Sequence, residues 1–286
     1  MFDLVTETWN PITGCNHECV YCWARRLATT RLKHLERYKH GFAPRLNASE
    51  LGRKFKPGTL VFAVDMGDIF SPGVEDEWVL RVLKRMAEFP ETTFLLLTKN
   101  PARYFDFLDE MPGNAVLGAT VETDDDDLYR RAKISKAPPP SKRLKAMKEL
   151  PWDRKFISVE PILSFTPRFA DEIAEARPLL VYVGYDNYGH ELPEPTLAEV
   201  LSLIRGLRSR GIEVRVKTLR PAWHEDTRIC AGPRVTSASR AGIGGSDVAL
   251  TLERFIRVAC VCVSEGVRDE GQDGCGVHPR GVARHP

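Results

Sequence analysis

The feature that most constrains the fold is a regular alternation of short apolar runs and amphipathic segments between residues 59 and 218. Runs such as Thr93–Thr98 and Lys155–Val159 are almost continuously apolar, which is typical of strands buried on both faces. Amphipathic segments such as Asp76–Glu88 and Thr196–Arg210 separate these runs at helical spacing. The pattern predicts an α/β fold with a parallel sheet covered by helices.

The same patterns place the remaining elements. Further strands are predicted at Leu4–Asn10, Thr59–Val64, Ala115–Val121, Leu179–Tyr185 and Val214–Thr218. Further helices are predicted at Tyr21–Tyr38, Pro101–Glu110, Asp124–Lys133, Lys142–Leu150 and Pro167–Ala176. Six or seven strand–helix units indicate a TIM-like barrel, closed or open. An open doubly wound sheet is the alternative, although a Gly-x-Gly-x-x-Gly loop is absent after the first strand.

Three cysteines follow the first predicted strand at Cys-x3-Cys-x2-Cys spacing: Cys15, Cys19 and Cys22. Thiolates are the ligands that iron–sulfur clusters and zinc prefer. Three thiolates leave one position of a four-coordinate site open, and an open position is typical of a site that does chemistry. The alternative is a zinc knuckle with His17 or a distant cysteine as the fourth ligand, although His17 would crowd so short a loop.

The longer motif resembles a known superfamily. The three cysteines, with Tyr21 directly before Cys22, resemble the signature of the radical S-adenosylmethionine (SAM) enzymes. The match Thr-Trp-Asn-Pro-x-x-Gly-Cys, followed by Tyr-Cys-Trp-Ala, resembles one phage, bacterial and archaeal branch related to spore photoproduct lyase. The resemblance extends from about Val5 to Lys217 and implies a partial (β/α)6 barrel.

The resemblance also implies a cofactor and an activity. In this superfamily three cysteines hold a [4Fe–4S] cluster whose fourth iron binds SAM. Reduction by a ferredoxin- or flavodoxin-type donor then yields a 5'-deoxyadenosyl radical that abstracts hydrogen from a substrate. We therefore expect Cys15, Cys19 and Cys22 to be cluster ligands, and no residue is assigned to catalysis.

Polar residues that follow the predicted strands are the candidate binding residues, because functional groups gather at the carboxyl ends of barrel strands. By resemblance, Asp68 lies where the superfamily contacts the SAM ammonium, Thr120 and Glu122 lie where it contacts the ribose, and Tyr21 would lie near the adenine. Glu160 and Lys217 match the Glu-Pro and Lys positions of the branch, and we expect them to contact SAM or substrate. The alternative for each is an ion pair that ties two loops together.

Charge is distributed unevenly along the chain. Residues 25–56 contain ten Lys or Arg and two Glu, a local excess of +8, although the whole chain is only +2. Such a run beside the cysteines predicts a nucleic acid or nucleotide substrate, or else a solvated helix face. A non-catalytic zinc-binding nucleic-acid adaptor is the alternative function.

Composition limits the remaining possibilities. Seven cysteines, three of them clustered, favour metal binding in a reducing cytoplasm over disulfides. We expect no membrane-spanning segment, since no apolar run approaches about 20 residues. The pattern predicts a barrel domain over residues 1–221 and a weakly ordered extension over 222–286. Two further metal sites are considered and disfavoured. They are Asp124–Asp127, which are expected to begin a helix, and an auxiliary cluster on Cys230, Cys260, Cys262 and Cys275.

Overall fold

The computed structural model describes residues 2–225. A parallel sheet of seven strands is its central feature. Its strands run in the order β1 (Glu7–Trp9), β4 (Leu60–Ala63), β5 (Thr93–Thr98), β6 (Ala115–Thr120), β7 (Lys155–Val159), β8 (Leu180–Val183) and β9 (Glu213–Val216). Each strand pairs in parallel with the next, and within the described residues no pairing joins β1 to β9. The predicted parallel α/β fold is confirmed, and the sheet forms an open rather than a closed barrel.

Helices and short 3-10 turns connect the strands. The α-helices are α1 (Trp23–Thr29), α2 (Asp76–Ala87), α3 (Asp126–Arg131), α4 (Pro140–Glu149), α5 (Phe169–Glu175) and α6 (Leu197–Ser209). The 3-10 turns span Glu36–Tyr38, Ala48–Gly52 and Pro101–Phe107. A capping box of Thr196 and Glu199 begins α6. None of the helices in residues 2–225 is both long and apolar enough to traverse a bilayer.

The first predicted helix is shorter than the sequence suggested. The prediction extended it to Tyr38, whereas α1 ends at Thr29. The hydroxyls of Thr29 and Thr30 donate to the carbonyls of Arg25 (2.8 Å) and Arg26 (2.6 Å). Such bonds from β-branched residues compete with the helix ladder and favour its end. The segment predicted as a helix over Pro101–Glu110 also differs, because it is a 3-10 helix that ends at Phe107.

A small antiparallel pair was not predicted. β2 (Ile12–Thr13) pairs with β3 (Arg45–Leu46), so the segment after α1 returns to the start of the cysteine loop. Two-residue strands carry too little periodicity to be recognised in a sequence. The pair positions the basic segment beside the cysteines.

Two separate apolar cores lie on the two faces of the sheet. The large outer core fills the space between sheet and helices and includes Trp9, Leu96 and Ile157. The small inner core lies on the concave face; its buried members are Phe2, Leu4, Leu60, Leu95, Val116, Phe156, Leu180 and Tyr182. Most of these come from the first half of their strands. The concave face is therefore filled at the amino ends of the strands and left for polar residues at the carboxyl ends.

The segment before β1 contributes to this inner core. Phe2 packs against Phe156 and Tyr182, with ring centroids 5.8 and 4.4 Å apart. Asp3 binds Arg215 of β9 at 2.5 Å. The segment therefore connects the β1 side of the open barrel to its β9 side. The predicted boundary at residue 221 and the extension beyond it stay predictions, since residues 226–286 lie outside the described residues.

Candidate functional site

The cysteine loop is fixed by backbone contacts to neighbouring segments. The Cys15 N–H donates to the carbonyl of Phe42 (2.8 Å), and the Gly14 N–H donates to that of Met66 (3.0 Å). Gly14 has a φ of +88°, and a Cβ there would lie 2.2 Å from the carbonyl oxygen of Ala43. Only glycine fits this close approach of two backbones.

All three cysteines face one cavity of about 450 Å³ at the carboxyl ends of the strands, which we call the central cleft. Cys19 is buried and the other two are partly buried, and all three are free thiols. The backbone N–H of His17 lies 3.4 Å from the sulfur of Cys15, and that of Arg25 lies 3.3 Å from the sulfur of Cys22. Such N–H groups stabilise sulfur ligands that carry negative charge.

Cys19 is held by the loop that follows α3. Its thiol lies 3.2 Å from the hydroxyl of Ser135, which in turn donates to the carbonyl of His17 at 2.8 Å. The backbone N–H of Lys136 donates to the same carbonyl at 2.7 Å. The loop after α3 therefore clamps the cysteine loop from residues 118 positions away in the chain.

The cleft disfavours free thiolates. Burial raises the pKa of the Cys15 thiol, and the nearby Asp68 carboxylate raises it further. Burial is also the main cause that raises the pKa of Cys22. Thiolates at these positions need added positive charge nearby, which a bound metal centre supplies.

A second group of metal-ligating side chains adjoins Cys15. The ligand atoms of Cys15, His17 and Asp68 lie within 4.8 Å of one another. Nε2 of His17 is 3.1 Å from Oδ2 of Asp68, although neither ring nitrogen of His17 makes a hydrogen bond in the described part of the chain. The buried imidazole is therefore incompletely satisfied.

Asp68 is fixed by three hydrogen-bond donors in addition to its close contact with His17. Its carboxylate accepts from the Thr98 hydroxyl (2.8 Å), the Lys99 backbone N–H (2.9 Å) and the Phe70 backbone N–H (2.9 Å). Desolvation acts to raise the pKa of Asp68, but His17 and these donors outweigh it and hold the pKa below its usual value. Asp68 is thus a carboxylate held rigidly at the wall of the cleft.

Glu122 is the centre of a buried charge network. Its carboxylate accepts from Arg143 (2.6 Å), Lys99 (2.7 Å) and the hydroxyl of Tyr21, and Tyr129 lies 3.4 Å away. Glu122 and Arg143 are completely buried. Desolvation opposes ionisation, yet Arg143 and Lys99 outweigh it and lower the pKa of Glu122 from 4.5 to about 2. Both cations thus stabilise an ionised carboxylate in the protein interior.

Most of the predicted site residues meet at the central cleft. Those that line it are Cys15, Cys19, Cys22, Tyr21, Asp68, Thr120, Glu160 and Lys217. Lys217 binds Glu160 and lies 4.8 Å above the ring of Phe2. Glu122 differs from the others, because its carboxylate lies below the cleft wall and is occupied by its protein partners.

The acidic and basic runs are used in different ways. Asp125 caps α3 through the Leu128 N–H (2.8 Å), and Asp124 accepts from the Thr166 N–H (2.8 Å). Asp126 and Asp127 bind other partners, so the four carboxylates diverge, as expected for a helix start. Within the basic run, Arg37, Lys39 and Arg53 pair with glutamates. The C-terminal cysteines considered for an auxiliary cluster lie outside the described residues.

The sequence of this chain matches one known protein family. A sequence profile described as "Protein of unknown function (DUF5131)" matches residues 2–175. The chain belongs to the DUF5131 family. None of the curated proteins matches the sequence.

Solved structures with the same fold include spore photoproduct lyase. Its complex with dinucleoside spore photoproduct aligns at 12% identity and a TM-score of 0.52, over 73% of this chain and 76% of that chain. A cysteine-to-alanine mutant of the lyase aligns at 12% identity and 0.51, over the same shares. A looser match is a radical SAM methyltransferase from Sphaerobacter thermophilus, at 17% identity and 0.46, over 78% and 69%. The predicted likeness to spore photoproduct lyase is thereby confirmed at the level of fold.

Two residues of the site were not predicted from the sequence. Lys99 follows a predicted strand, but its contact with Tyr21 (2.5 Å) depends on a residue 78 positions away. Arg143 had a recognisable signal, because it lies on the same helical stripe as the buried Met147 and Leu150. A charge on an apolar stripe indicates a buried partner, which is Glu122.

Proposed function

We propose that this protein is a radical SAM enzyme that holds a [4Fe–4S] cluster on Cys15, Cys19 and Cys22 and binds SAM in the central cleft. The observation that carries the proposal is that all three thiols face one cleft at the carboxyl ends of parallel strands. That edge is where barrels of this kind gather functional groups. The shared fold with radical SAM enzymes supports the same assignment.

The residues present fit such a cluster. Three free thiols on one loop offer three soft ligands. Backbone N–H groups approach the sulfurs of Cys15 and Cys22, and burial raises the pKa of these two thiols, so that their thiolates need a cationic partner. When bound and reduced, the cluster would supply the electron that cleaves SAM to methionine and a 5'-deoxyadenosyl radical, with a ferredoxin- or flavodoxin-type protein as the reductant.

The chain's own residues bind and orient. Asp68 offers a rigid carboxylate to a cationic group of SAM, and the Thr120 side chain offers a hydroxyl to a ribose. Glu122 acts indirectly, because it orients Tyr21 and Lys99 at the cleft wall. The Glu160–Lys217 pair offers an acceptor and a donor at the opposite wall, to SAM or to substrate. The inner core below the cleft excludes water from its floor.

The alternative is a zinc-binding nucleic-acid adaptor without catalytic activity. The group formed by Cys15, His17 and Asp68 favours it, since these three side chains match the ligand types of a mononuclear zinc site. The two functions need different residues. The cluster needs Cys19 and Cys22, whereas the zinc site needs His17 and Asp68.

The test is anaerobic reconstitution with iron and sulfide, followed by EPR of the reduced protein with and without SAM. The proposal expects about four irons per chain and a [4Fe–4S]+ signal that changes when SAM is added. Cys19→Ala should abolish this signal, while Cys275→Ala, the control, should retain it. A colourless protein with one zinc that Asp68→Ala removes would instead establish the adaptor.

A further inference from the structure

Two large aromatic side chains are exposed at the rim of the central cleft. Trp23, the first residue of α1, is 41% exposed, and Tyr188, in the loop after β8, is 51% exposed. Both line the same cleft as the three cysteines. Exposed aromatic rings at the mouth of a cavity are typical of a surface that binds a partner.

Unpaired positive charge accompanies these rings. The guanidinium of Arg26 lies 5.7 Å from the ring centroid of Tyr188. Arg31 and Lys33 follow in the turn after α1 and are exposed, and neither has a carboxylate partner within residues 2–225. Three later members of the basic run, Arg37, Lys39 and Arg53, pair with glutamates instead. Arg26, Arg31 and Lys33 therefore place unpaired charge on the segment that begins at the cleft-lining Trp23.

This combination points to one class of partner. Flat exposed rings that stack on bases, with cations that meet phosphates, are how proteins bind single-stranded nucleic acid. An acidic peptide would use the cations but gives no reason for the exposed rings. The bases of a duplex are stacked inside it, whereas a single strand can place an unpaired base in a recessed cavity. Single-stranded nucleic acid is therefore favoured over a duplex.

We infer that Trp23 and Tyr188 at the rim of the cleft, together with Arg26, Arg31 and Lys33 of the adjoining segment, bind single-stranded nucleic acid. One or more bases stack on Trp23 and Tyr188, and the adjacent phosphates contact the three cations. The inference rests on the proposed function in one respect: the bound strand is the substrate whose nucleotide enters the cleft. Binding itself requires neither cluster nor SAM.

The test measures fluorescence anisotropy of labelled single-stranded oligonucleotides with the full chain, both cluster-loaded and apo, over a range of salt concentrations. Trp23→Ala and Tyr188→Ala should each weaken binding roughly tenfold, since stacking is lost. Tyr188→Phe should bind like the wild type, because the ring and not the hydroxyl stacks. Arg31→Gln should lower the slope of log affinity against log salt by about 0.7, the value for one phosphate contact on a single strand.

Matched controls come from elements that do not line the central cleft. Phe105 is 39% exposed on the 3-10 helix after β5, and Arg81 is exposed on α2. Phe105→Ala and Arg81→Gln should therefore leave the affinity and the salt slope unchanged. Poly-glutamate of matched charge should compete much less well than an unlabelled oligonucleotide.

The outcomes separate the two proposals. Absence of binding, equal affinity of Trp23→Ala, Tyr188→Ala and wild type, or equal competition by poly-glutamate would each overturn the inference. EPR and iron analysis of the same preparations test the proposed function independently. Ring-dependent binding by a chain that never assembles a cluster would support this inference while contradicting the enzyme.

Discussion

The hydroxyl of Tyr21 donates a hydrogen bond to the carboxylate of Glu122, 101 residues further along the chain. Tyr21 belongs to the cysteine loop, and Glu122 follows β6 in the centre of the sheet. The contact therefore ties the candidate ligand loop to the end of the central strand of the sheet. Lys99 completes it by donating to both groups, at 2.5 and 2.7 Å.

We expect the stability provided by Glu122 to depend on pH. Its pKa is lowered from 4.5 to about 2, so its contribution is complete above pH 4.5 and is lost as the pH falls towards 2. Glu122→Gln should destabilise the protein by about 3 kcal/mol at pH 7, because Arg143 and Lys99 lose their counter-charge. The difference in the free energy of unfolding between wild type and variant should be smaller by about 1.4 kcal/mol at one pH unit below 4.5 than at pH 7.

Urea unfolding at pH 7, 4.5 and 3.5 measures this dependence. Glu149→Gln is the control, because Glu149 is exposed on α4 and its ion pair with Lys145 is long (3.8 Å) and exposed to solvent. It should change the free energy of unfolding by less than about 0.5 kcal/mol at every pH. A gap for Glu122→Gln that stays constant from pH 7 to 3.5 would refute the assignment of a low pKa.

Arg143 should be among the most sensitive positions of α4. Its side chain is completely buried against Glu122, so Arg143→Met leaves the carboxylate with Lys99 as its remaining cation. We expect a loss of about 3–5 kcal/mol in the free energy of unfolding. Lys148→Met, on the same helix, removes a partly exposed pair with Glu175 and should cost less than about 1 kcal/mol. If chemical denaturation gave equal losses in the free energy of unfolding for Arg143→Met and Lys148→Met, burial of the ion pair would not determine its contribution to stability.

Gly118 should tolerate no side chain. A Cβ at this position of β6 would lie 2.0 Å from Cε1 of Phe156, inside the small inner core. Gly118→Ala should therefore destabilise the protein by about 1–3 kcal/mol through overpacking. Adding Phe156→Leu should recover part of that loss, measured by thermal unfolding. Gly113→Ala is the matched control, because nothing lies within 4 Å of a Cβ there.

The amino-terminal segment should be required for a stable barrel. Phe2 is only 5% exposed and contacts Phe156 and Tyr182 in the inner core. Phe2→Ala should cost about 3–5 kcal/mol, whereas Phe105→Ala, at an exposed ring, should cost less than about 1 kcal/mol. Hydrogen exchange of the β9 amides should accelerate in Phe2→Ala if the segment holds the two sides of the open barrel together. Unchanged exchange would confine its role to local packing.

The sequence was informative wherever local pattern and local physics agree. The boundaries of Thr93–Thr98 and Lys155–Val159 were predicted to the residue, because continuous apolar runs between turns leave little freedom. The helix from Trp23 was overextended, since leucines at helical spacing outweighed the two threonines that end it. The β2–β3 pair was missed because its strands are too short to show a period.

The candidate site residues were predicted from residue type and from position relative to the strand ends. Eight of the nine predicted site residues line the central cleft, since parallel strands deliver their carboxyl ends to one edge. The ninth, Glu122, was predicted as a ribose contact, but its carboxylate lies below the wall with four protein partners. A residue's position after a strand in the sequence does not determine whether its side chain points into the cleft or into the protein interior.

The sequence by itself determined the parallel α/β architecture and the three-cysteine loop, because both depend on spacing within short segments. Only the tertiary structure decided which charges meet. Arg143 and Lys99 reach Glu122, and His17 reaches Asp68, across dozens of residues. The reason is energetic: a buried charge is stable only beside a partner, and the partner is chosen by packing in three dimensions rather than by distance along the chain.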